Sequence, residues 1–142
     1  MHIEKQSGSW SFEGISENFE DHARRSIPLY DMGHDLVLKY SDFFCINNQT
    51  IIDIGCSTGL LLNKLAQRHL SKNELLFYGV EAIKDMADFA TKTVSDDRVS
   101  IVNERIEDFE FDKSNLITSY YTMQFISPAI RQQIINSVYN SL

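Results

Sequence analysis

The stretch from Thr50 to Gly59 constrains the fold more than any other part of the chain. Residues 50–54, Thr-Ile-Ile-Asp-Ile, form a short β-branched run that is typical of a strand buried in a parallel sheet. The segment Asp53-Ile54-Gly55-Cys56-Ser57-Thr58-Gly59 follows, and a helical apolar pattern begins directly after it. Glycines at such a strand-to-helix turn allow a ligand to approach the backbone and the free N–H groups of the helix N-terminus. The pattern favours a ligand-binding turn over a tight turn that binds nothing.

Strands and helices alternate along the rest of the chain. Apolar and β-branched runs predict further strands over residues 75–80, 99–102 and 116–121. Helical spacing of apolar residues predicts helices over 58–69, 83–93 and 128–142. Residues 103–114 contain Phe109 and Phe111 but no helical period, so we expect a loop there. This alternation predicts crossover connections and a parallel sheet.

Two helices are expected before the first strand. Phe12, Ile15, Phe19 and Ala23 lie near helical spacing, and Pro28 separates them from a second amphipathic pattern over 30–44. We therefore expect residues 1–49 to form a helical cap and residues 50–142 to form an α/β domain.

The composition bounds the function. The 142 residues carry a net charge of −7, which argues against direct nucleic-acid binding. The basic residues that cluster form either a small basic patch or a solvated helix face; they are Arg24, Arg25, Lys64, Arg68 and Lys72.

The sequence shows no signal for targeting, membrane insertion or metal binding. The apolar runs are far too short to span a bilayer, and the N-terminus does not resemble a signal peptide. Two cysteines give no disulfide framework, and the four histidines have no ligand spacing. We expect a cytoplasmic protein without a metal site. Cys56 would start a helix, which could lower the pKa of its thiol, but we expect it to lend its backbone to the turn rather than act as a nucleophile.

Glu81 ends the second predicted strand, where a carboxylate can accept hydrogen bonds from both hydroxyls of a ribose. A dinucleotide site needs G-x-G-x-x-G, but Ser57 stands at the middle position, which disfavours NAD. The pattern D-x-G-x-x-x-G instead resembles the first motif of S-adenosylmethionine-dependent methyltransferases.

Three segments, in order along nearly the whole chain, resemble the carboxy-S-adenosylmethionine synthase family, methyltransferase-fold enzymes of tRNA wobble-uridine modification. They are Trp10-Ser11-Phe12 with Phe19 and Arg25-Ser26-Ile27-Pro28-Leu29-Tyr30; Asp53 to Gly59; and Thr122-Met123-Gln124-Phe125-Ile126 leading to Pro128. Related stand-alone methyltransferases share the pattern Phe19, His22, Ser26, Pro28 and Tyr30. The resemblance implies a Rossmann-like class I methyltransferase fold. We expect this chain to hold its N-terminal cofactor-binding half, with about four parallel strands and two leading helices.

The resemblance also implies a cofactor, S-adenosylmethionine, and the residues that hold it. The predicted cofactor-binding residues are Tyr30, Asp53, Gly55, Cys56, Ser57, Gly59, Glu81, Ala82, Arg105, Ile106 and Tyr120. Three of them depart from the family. Arg105 stands where the family has an acid, for which Glu104, Glu107 and Asp108 are alternatives. Tyr120 replaces an asparagine, and Ala82 replaces a polar residue. Tyr30 has a second interpretation, an aromatic ring packed between helices.

The expected function is that of an S-adenosylmethionine-dependent methyltransferase with a small-molecule acceptor. Two alternatives stay open: a carboxy-S-adenosylmethionine synthase-like enzyme, and a non-catalytic or partial module that needs a partner or a longer chain. The family's substrate-binding arginine lies beyond Leu142, so we expect no carboxylated cofactor from this chain. No catalytic residue is assigned. His22 and Tyr121 are weak candidates for a base, and Gln124 and Phe125 either face the methyl group or only begin the last helix.

The fourth predicted strand would have an unpaired edge, which favours pairing with another chain. We therefore expect either a homo-oligomer or a natural chain that continues past Leu142.

Overall fold

The structure is a computed structural model that describes residues 14–142. Predictions for Trp10, Ser11 and Phe12 lie outside the described residues. The helices are α1 (Phe19–Ser26), α2 (Tyr30–Ser41), α3 (Leu60–Arg68), α4 (Lys84–Thr93) and α5 (Pro128–Ser141). The strands are β1 (Thr50–Ile54), β2 (Leu76–Val80), β3 (Val99–Val102) and β4 (Leu116–Thr118). Short 3₁₀ helices, which the sequence did not predict, lie at Ser16–Asn18 and Met123–Phe125.

The four strands form one parallel sheet in the order β3-β2-β1-β4. Ile52 in the centre of the sheet is in register with Tyr78 on one side and Ile117 on the other. The predicted α/β class and parallel sheet are confirmed. The prediction of strand over 119–121 was wrong, because β4 ends at Thr118 and Tyr121 has a left-handed backbone with φ 54°.

Helix boundaries also differ from the prediction. Helix α3 begins at Leu60 rather than at 58, because Ser57 and Gly59 have φ of 55° and 78°. Helix α2 ends at Ser41 rather than at 44. The predicted loop over 103–114 is confirmed, since no helix or strand is assigned there.

Side chains that alternate along the strands build a core on each face of the sheet. One core surrounds Ile51 and Phe77 and includes the apolar face of α3 and Val37 and Leu38 of α2. The other surrounds Ile52 and Val80 and includes Ile134 of α5. Within residues 14–142, no helix is long and apolar enough to cross a membrane.

The connectivity determines where a ligand binds. From β1 the chain runs outward to β2 and β3, then returns to the other side of β1 to form β4. The strand order therefore reverses between β1 and β4. In open α/β sheets, ligands bind in the crevice beyond the carboxyl ends of the strands at such a reversal.

Candidate ligand-binding site

A cavity of about 650 Å³ lies at the carboxyl ends of the strands. Its wall includes the segments that follow all four strands, and α1 and the first turn of α2 line another side. This volume is in the range typical of small-molecule sites. The cavity therefore lies at the reversal of strand order, where the topology favours binding.

The turn after β1 is held in an unusual backbone conformation. Gly55 has φ 69°, and the backbone N–H groups of Gly55 and Cys56 both donate to the carbonyl oxygen of Val80, at 2.8 and 3.1 Å. A Cβ atom at Gly55 would meet the side chain of Thr122, which follows β4. Ser57 is also left-handed although it is not a glycine. Left-handed residues outside glycine concentrate at functional sites, where the surrounding structure holds them.

Glu81 joins this turn to the end of β2. Its two carboxylate oxygens accept hydrogen bonds from the backbone N–H groups of Ser57 at 2.8 Å and Ile83 at 2.9 Å. The side-chain amide of Asn103 donates to the carbonyl oxygen of Glu81 at 2.8 Å. Burial raises the pKa of Glu81, and the backbone N–H groups oppose that shift. The carboxylate is thus fixed in the cavity wall, and its remaining lone pairs can accept hydroxyl groups of a ligand.

Asp53 lies deeper than Glu81. It is 2% exposed, and the hydroxyl of Thr118 donates to its carboxylate at 2.6 Å. Burial raises the pKa of Asp53 to about 7; the bond from Thr118 opposes this shift and the charge of Glu81 adds to it. Asp53 therefore ties β1 to β4 beneath the cavity.

Tyr30 belongs to an aromatic cluster at the junction of α2 and the end of β4. Its ring centroid lies 4.5 Å from that of His34 and 5.6 Å from that of Tyr120. The hydroxyl of Tyr120 donates to the carbonyl oxygen of Tyr30 at 2.8 Å. Burial is the main cause that raises the pKa of Tyr30 and lowers the pKa of His34 to about 4. Tyr30 both packs between elements and lines the cavity.

Glu20 of α1 is a wall residue that the sequence analysis missed. Its carboxylate accepts hydrogen bonds from the hydroxyl of Thr58 and, at 3.4 Å, from the hydroxyl of Tyr30. It thereby connects α1 to the turn after β1 and to α2. Nothing in the spacing around Glu20 distinguishes it from Asp21, the other acid of α1, so no sequence signal could have found it.

The predicted cofactor-binding residues largely come together. Those that line the cavity are Tyr30, Asp53, Gly55, Cys56, Ser57, Glu81, Ala82, Arg105, Ile106 and Tyr120. Gly59 does not line it. A Cβ atom there would lie 3.0 Å from Val94 and 3.2 Å from Ala90, so Gly59 permits close packing of α3 against α4 and the left-handed start of α3. His22, Tyr121, Gln124 and Phe125 also line the cavity.

Arg105 lies at the rim of the cavity. Its side chain is 70% exposed, and its guanidinium donates to the carboxylate of Glu107 at 2.6 Å. Of the three alternative acids, Glu104 and Glu107 line the cavity and Asp108 does not. Arg105 therefore contributes charge at the entrance and not inside the site.

Cys56 does not behave as its place beside a helix start indicated. Its thiol is buried, and burial raises its pKa well above the usual value, with the charges of Asp53 and Glu81 adding to the shift. The expectation that the helix N-terminus could lower this pKa was wrong, because α3 begins only at Leu60 and the thiol is buried. The thiol stays protonated at neutral pH.

The basic residues named in the sequence form ion pairs and hydrogen bonds at several places, and Arg24 and Lys64 share Asp31. Arg24 pairs with Asp31, Arg68 pairs with Asp42, and Lys72 donates to the carbonyl oxygen of Cys45. In the part of the chain that the structure describes, no group of three or more His, Cys, Asp or Glu side chains could hold a metal ion.

The fold and the site together define a Rossmann-like α/β protein of the methyltransferase type. Residues 51–142 match the family described as "Methyltransferase domain", and the chain belongs to that family.

Similarity to curated relatives extends over more of the chain than residues 51–142. The chain is 32% identical over 135 residues to a carboxy-S-adenosyl-L-methionine synthase of Staphylococcus epidermidis, covering 94% of this chain and 58% of that protein. It is 34% identical over 130 residues to the Campylobacter lari protein of the same name, covering 90% and 54%. The chain therefore spans about half the length of the curated relatives it matches.

A solved structure confirms the fold. The plantazolicin methyltransferase BpumL in complex with SAH superposes with a TM-score of 0.69 at 14% identity, covering 93% of this chain and 50% of that one.

Proposed function

We propose that the chain binds S-adenosylmethionine in the cavity at the ends of the strands and belongs to an enzyme that transfers a one-carbon group to a small molecule. The observation that carries the proposal is the fixed pair formed by the turn after β1 and the carboxylate of Glu81. A carboxylate at this position suits the two ribose hydroxyls of an adenosyl group. The family match and the names of the relatives support the same cofactor.

The cofactor supplies an activated group on its sulfonium, so the protein needs no nucleophile of its own. The protonated, buried thiol of Cys56 agrees with this requirement. The residues of the chain bind and orient: Glu81 accepts the ribose hydroxyls, and the turn from Gly55 to Ser57 supports the amino-acid half. Tyr30 and the other aromatic and aliphatic wall residues exclude water.

We further propose that the acceptor is a small molecule, that the compartment is the cytoplasm, and that residues 1–49 form a helical cap on the domain over 50–142. We also include self-association, because β4 is an edge strand within the described sheet and Ile135 and Tyr139 of α5 are exposed.

Calorimetric titration tests the proposal. We expect S-adenosylmethionine and S-adenosylhomocysteine to bind with a stoichiometry of one per chain, and NAD to give no heat of binding. Equal binding of NAD, or binding of neither adenosyl compound, would contradict the proposal.

A carboxy-S-adenosylmethionine synthase-like activity is a second candidate, favoured by the names of the relatives. Two site residues that depart from the family argue against this activity for the chain. Arg105 forms an ion pair with Glu107 at the rim, and the hydroxyl of Tyr120 donates to the backbone carbonyl oxygen of Tyr30. Mass spectrometry after incubation with S-adenosylmethionine and prephenate decides the matter. We expect no carboxylated cofactor, and its appearance would establish the second candidate.

A further inference from the structure

In the described part of the chain, the carboxylate of Glu20 accepts hydrogen bonds from neutral groups and forms no ion pair. Thr58 and Tyr30 donate to it through their hydroxyls. Within residues 14–142, no lysine, arginine or histidine forms an ion pair with Glu20. Arg24, on the next turn of α1, is engaged by Asp31 at 2.8 Å. The carboxylate of Glu20 thus lines the cavity without an ion-pair partner, and the guanidinium of Arg24 acts on it only through space.

The inner wall of the cavity contains two further carboxylates, those of Glu81 and Asp53. Both accept only neutral donors in the described residues, and Asp53, whose pKa is raised to about 7, carries only part of a negative charge at neutral pH. The guanidinium of Arg105 is at the rim and is paired with Glu107. A partly buried carboxylate is stabilised by a nearby positive charge, so the inner wall favours a cationic ligand.

Glu20 and Glu81 bind consecutive residues of the turn after β1. The backbone N–H of Ser57 donates to Glu81, whereas the hydroxyl of the next residue, Thr58, donates to Glu20. A ligand whose hydroxyls bind Glu81 can therefore extend along the turn toward Glu20. The group that reaches Glu20 must donate hydrogen bonds and is favoured if it carries positive charge.

We propose that Glu20 receives the α-ammonium group of the amino-acid half of the ligand and selects for adenosyl compounds that carry it. The inference rests on the proposed function, since it takes the adenosyl half to be held by Glu81. Asp53 is less suited to this task, because it is almost fully buried and engaged by Thr118 at 2.6 Å. Glu20 binds and positions the ligand without a part in bond making.

The test compares three compounds by calorimetry with the 142-residue chain and its Glu20→Gln variant. S-adenosylmethionine and S-adenosylhomocysteine carry the ammonium group, and 5′-methylthioadenosine lacks the amino-acid half. Glutamine keeps the size of the side chain and an oxygen that accepts from Thr58, so the wall is preserved. We expect Glu20→Gln to weaken binding of the first two compounds roughly tenfold or more. The dissociation constant of methylthioadenosine should stay within about twofold of the wild-type value.

Two further variants sharpen the comparison. Glu17→Gln, an exposed residue outside the cavity wall, is the matched control and should bind all three compounds as wild type does. Thr58→Val removes the hydroxyl that donates to Glu20. It should weaken binding of S-adenosylmethionine and S-adenosylhomocysteine but not binding of methylthioadenosine. This variant also tests the inference if Glu20→Gln fails to fold.

Each outcome is decisive. Equal losses of affinity for all three compounds in Glu20→Gln would mean that Glu20 only supports the cavity wall. No loss of affinity for any of them would mean that Glu20 contacts no ligand. Either result would overturn the inference and leave the proposed function standing. Wild-type protein that binds none of the three compounds would overturn the proposed function and the inference with it.

Discussion

The ring of Tyr120 occupies the space that a Cβ atom at Gly33 would fill. This contact brings the end of β4 against the first turns of α2, where the hydroxyl of Tyr120 also donates to the carbonyl oxygen of Tyr30 at 2.8 Å. Glycine in the interior of a helix is normally unfavourable. The close approach of Tyr120 gives the physical reason for Gly33, and it positions Tyr30 in the cavity wall.

Gly33→Ala should therefore destabilise the chain. Alanine gains about 0.5–1 kcal/mol of helix propensity, but overlap with a packed ring costs about 1–3 kcal/mol. We expect a net loss of roughly 1–2 kcal/mol in the free energy of unfolding, measured by urea denaturation. In a Tyr120→Asn background the same change should be neutral or stabilising, because the ring is gone. A more stable single variant would show that the ring moves aside freely.

Glu81→Ala should weaken binding of S-adenosylhomocysteine by roughly 1–3 kcal/mol, because the ribose hydroxyls lose their acceptor. The variant also leaves the backbone N–H groups of Ser57 and Ile83 without their bonds, so its melting curve is recorded in parallel. Glu74→Ala, an exposed residue before β2, is the control and should bind as wild type does. Unchanged affinity in Glu81→Ala would remove Glu81 from the site.

Gly55→Val should abolish binding and also lower the melting temperature. A Cβ atom at this position would meet Thr122, and φ of 69° is strained for valine. Calorimetry and a thermal melt on the same sample report both effects. If Gly55→Val binds the ligand fully and melts as wild type does, the conformation of the turn after β1 is not needed for binding or for stability.

Asp53→Asn should change how stability depends on pH. The pKa of Asp53 is raised to about 7 in the folded chain, whereas an unfolded aspartate has a pKa of about 3.9. Between these values the folded state holds a proton that the unfolded state has lost, so this group makes the free energy of unfolding fall as pH rises. The stability of Asp53→Asn relative to wild type should therefore increase from pH 4 to pH 7, by on the order of 3 kcal/mol.

The comparison with wild type isolates Asp53 from an opposing group. His34 has its pKa lowered to about 4, so its contribution to stability increases with pH over an overlapping range. Both proteins retain His34, and its contribution cancels in the difference. Denaturant titrations at several pH values that give a constant difference would contradict the assignment.

Light scattering tests the proposed self-association. Strand β4 pairs only with β1 in the described sheet, although its three residues offer a shorter edge than the six expected from the sequence. We expect the average mass of the 142-residue chain to rise with concentration. A constant monomer mass with one sharp melting transition would contradict it.

Much of the fold follows from local patterns in the sequence. The β-branched runs at Thr50–Ile54 and Val99–Val102 predicted β1 and β3 with the bounds that the structure has. In β1, four of the five residues are buried, as expected of a central parallel strand. The end of β4 did not follow, because the left-handed turn at Tyr121 falls on a residue type that gives no such signal.

Cavity-wall residues that follow strand ends were predictable from the sequence, whereas those that depend on the packing of separate helices were not. Gly55, Ser57 and Glu81 follow directly from strand ends, and the parallel sheet brings those ends together. Gly59 shares the same motif, but the twist of the turn directs it toward α4. Glu20 reaches the cavity only through the packing of α1 against Thr58 and Tyr30, which no spacing in the sequence encodes.

A crystal structure of the chain with S-adenosylhomocysteine would locate the ligand. We expect it in the cavity at the strand ends, with the ribose hydroxyls about 2.6–3.2 Å from the carboxylate oxygens of Glu81. Its amino-acid half should extend along the turn after β1 toward Tyr30. A ligand bound elsewhere on the chain, or a ribose that does not contact Glu81, would show that this cavity is not the S-adenosylmethionine site.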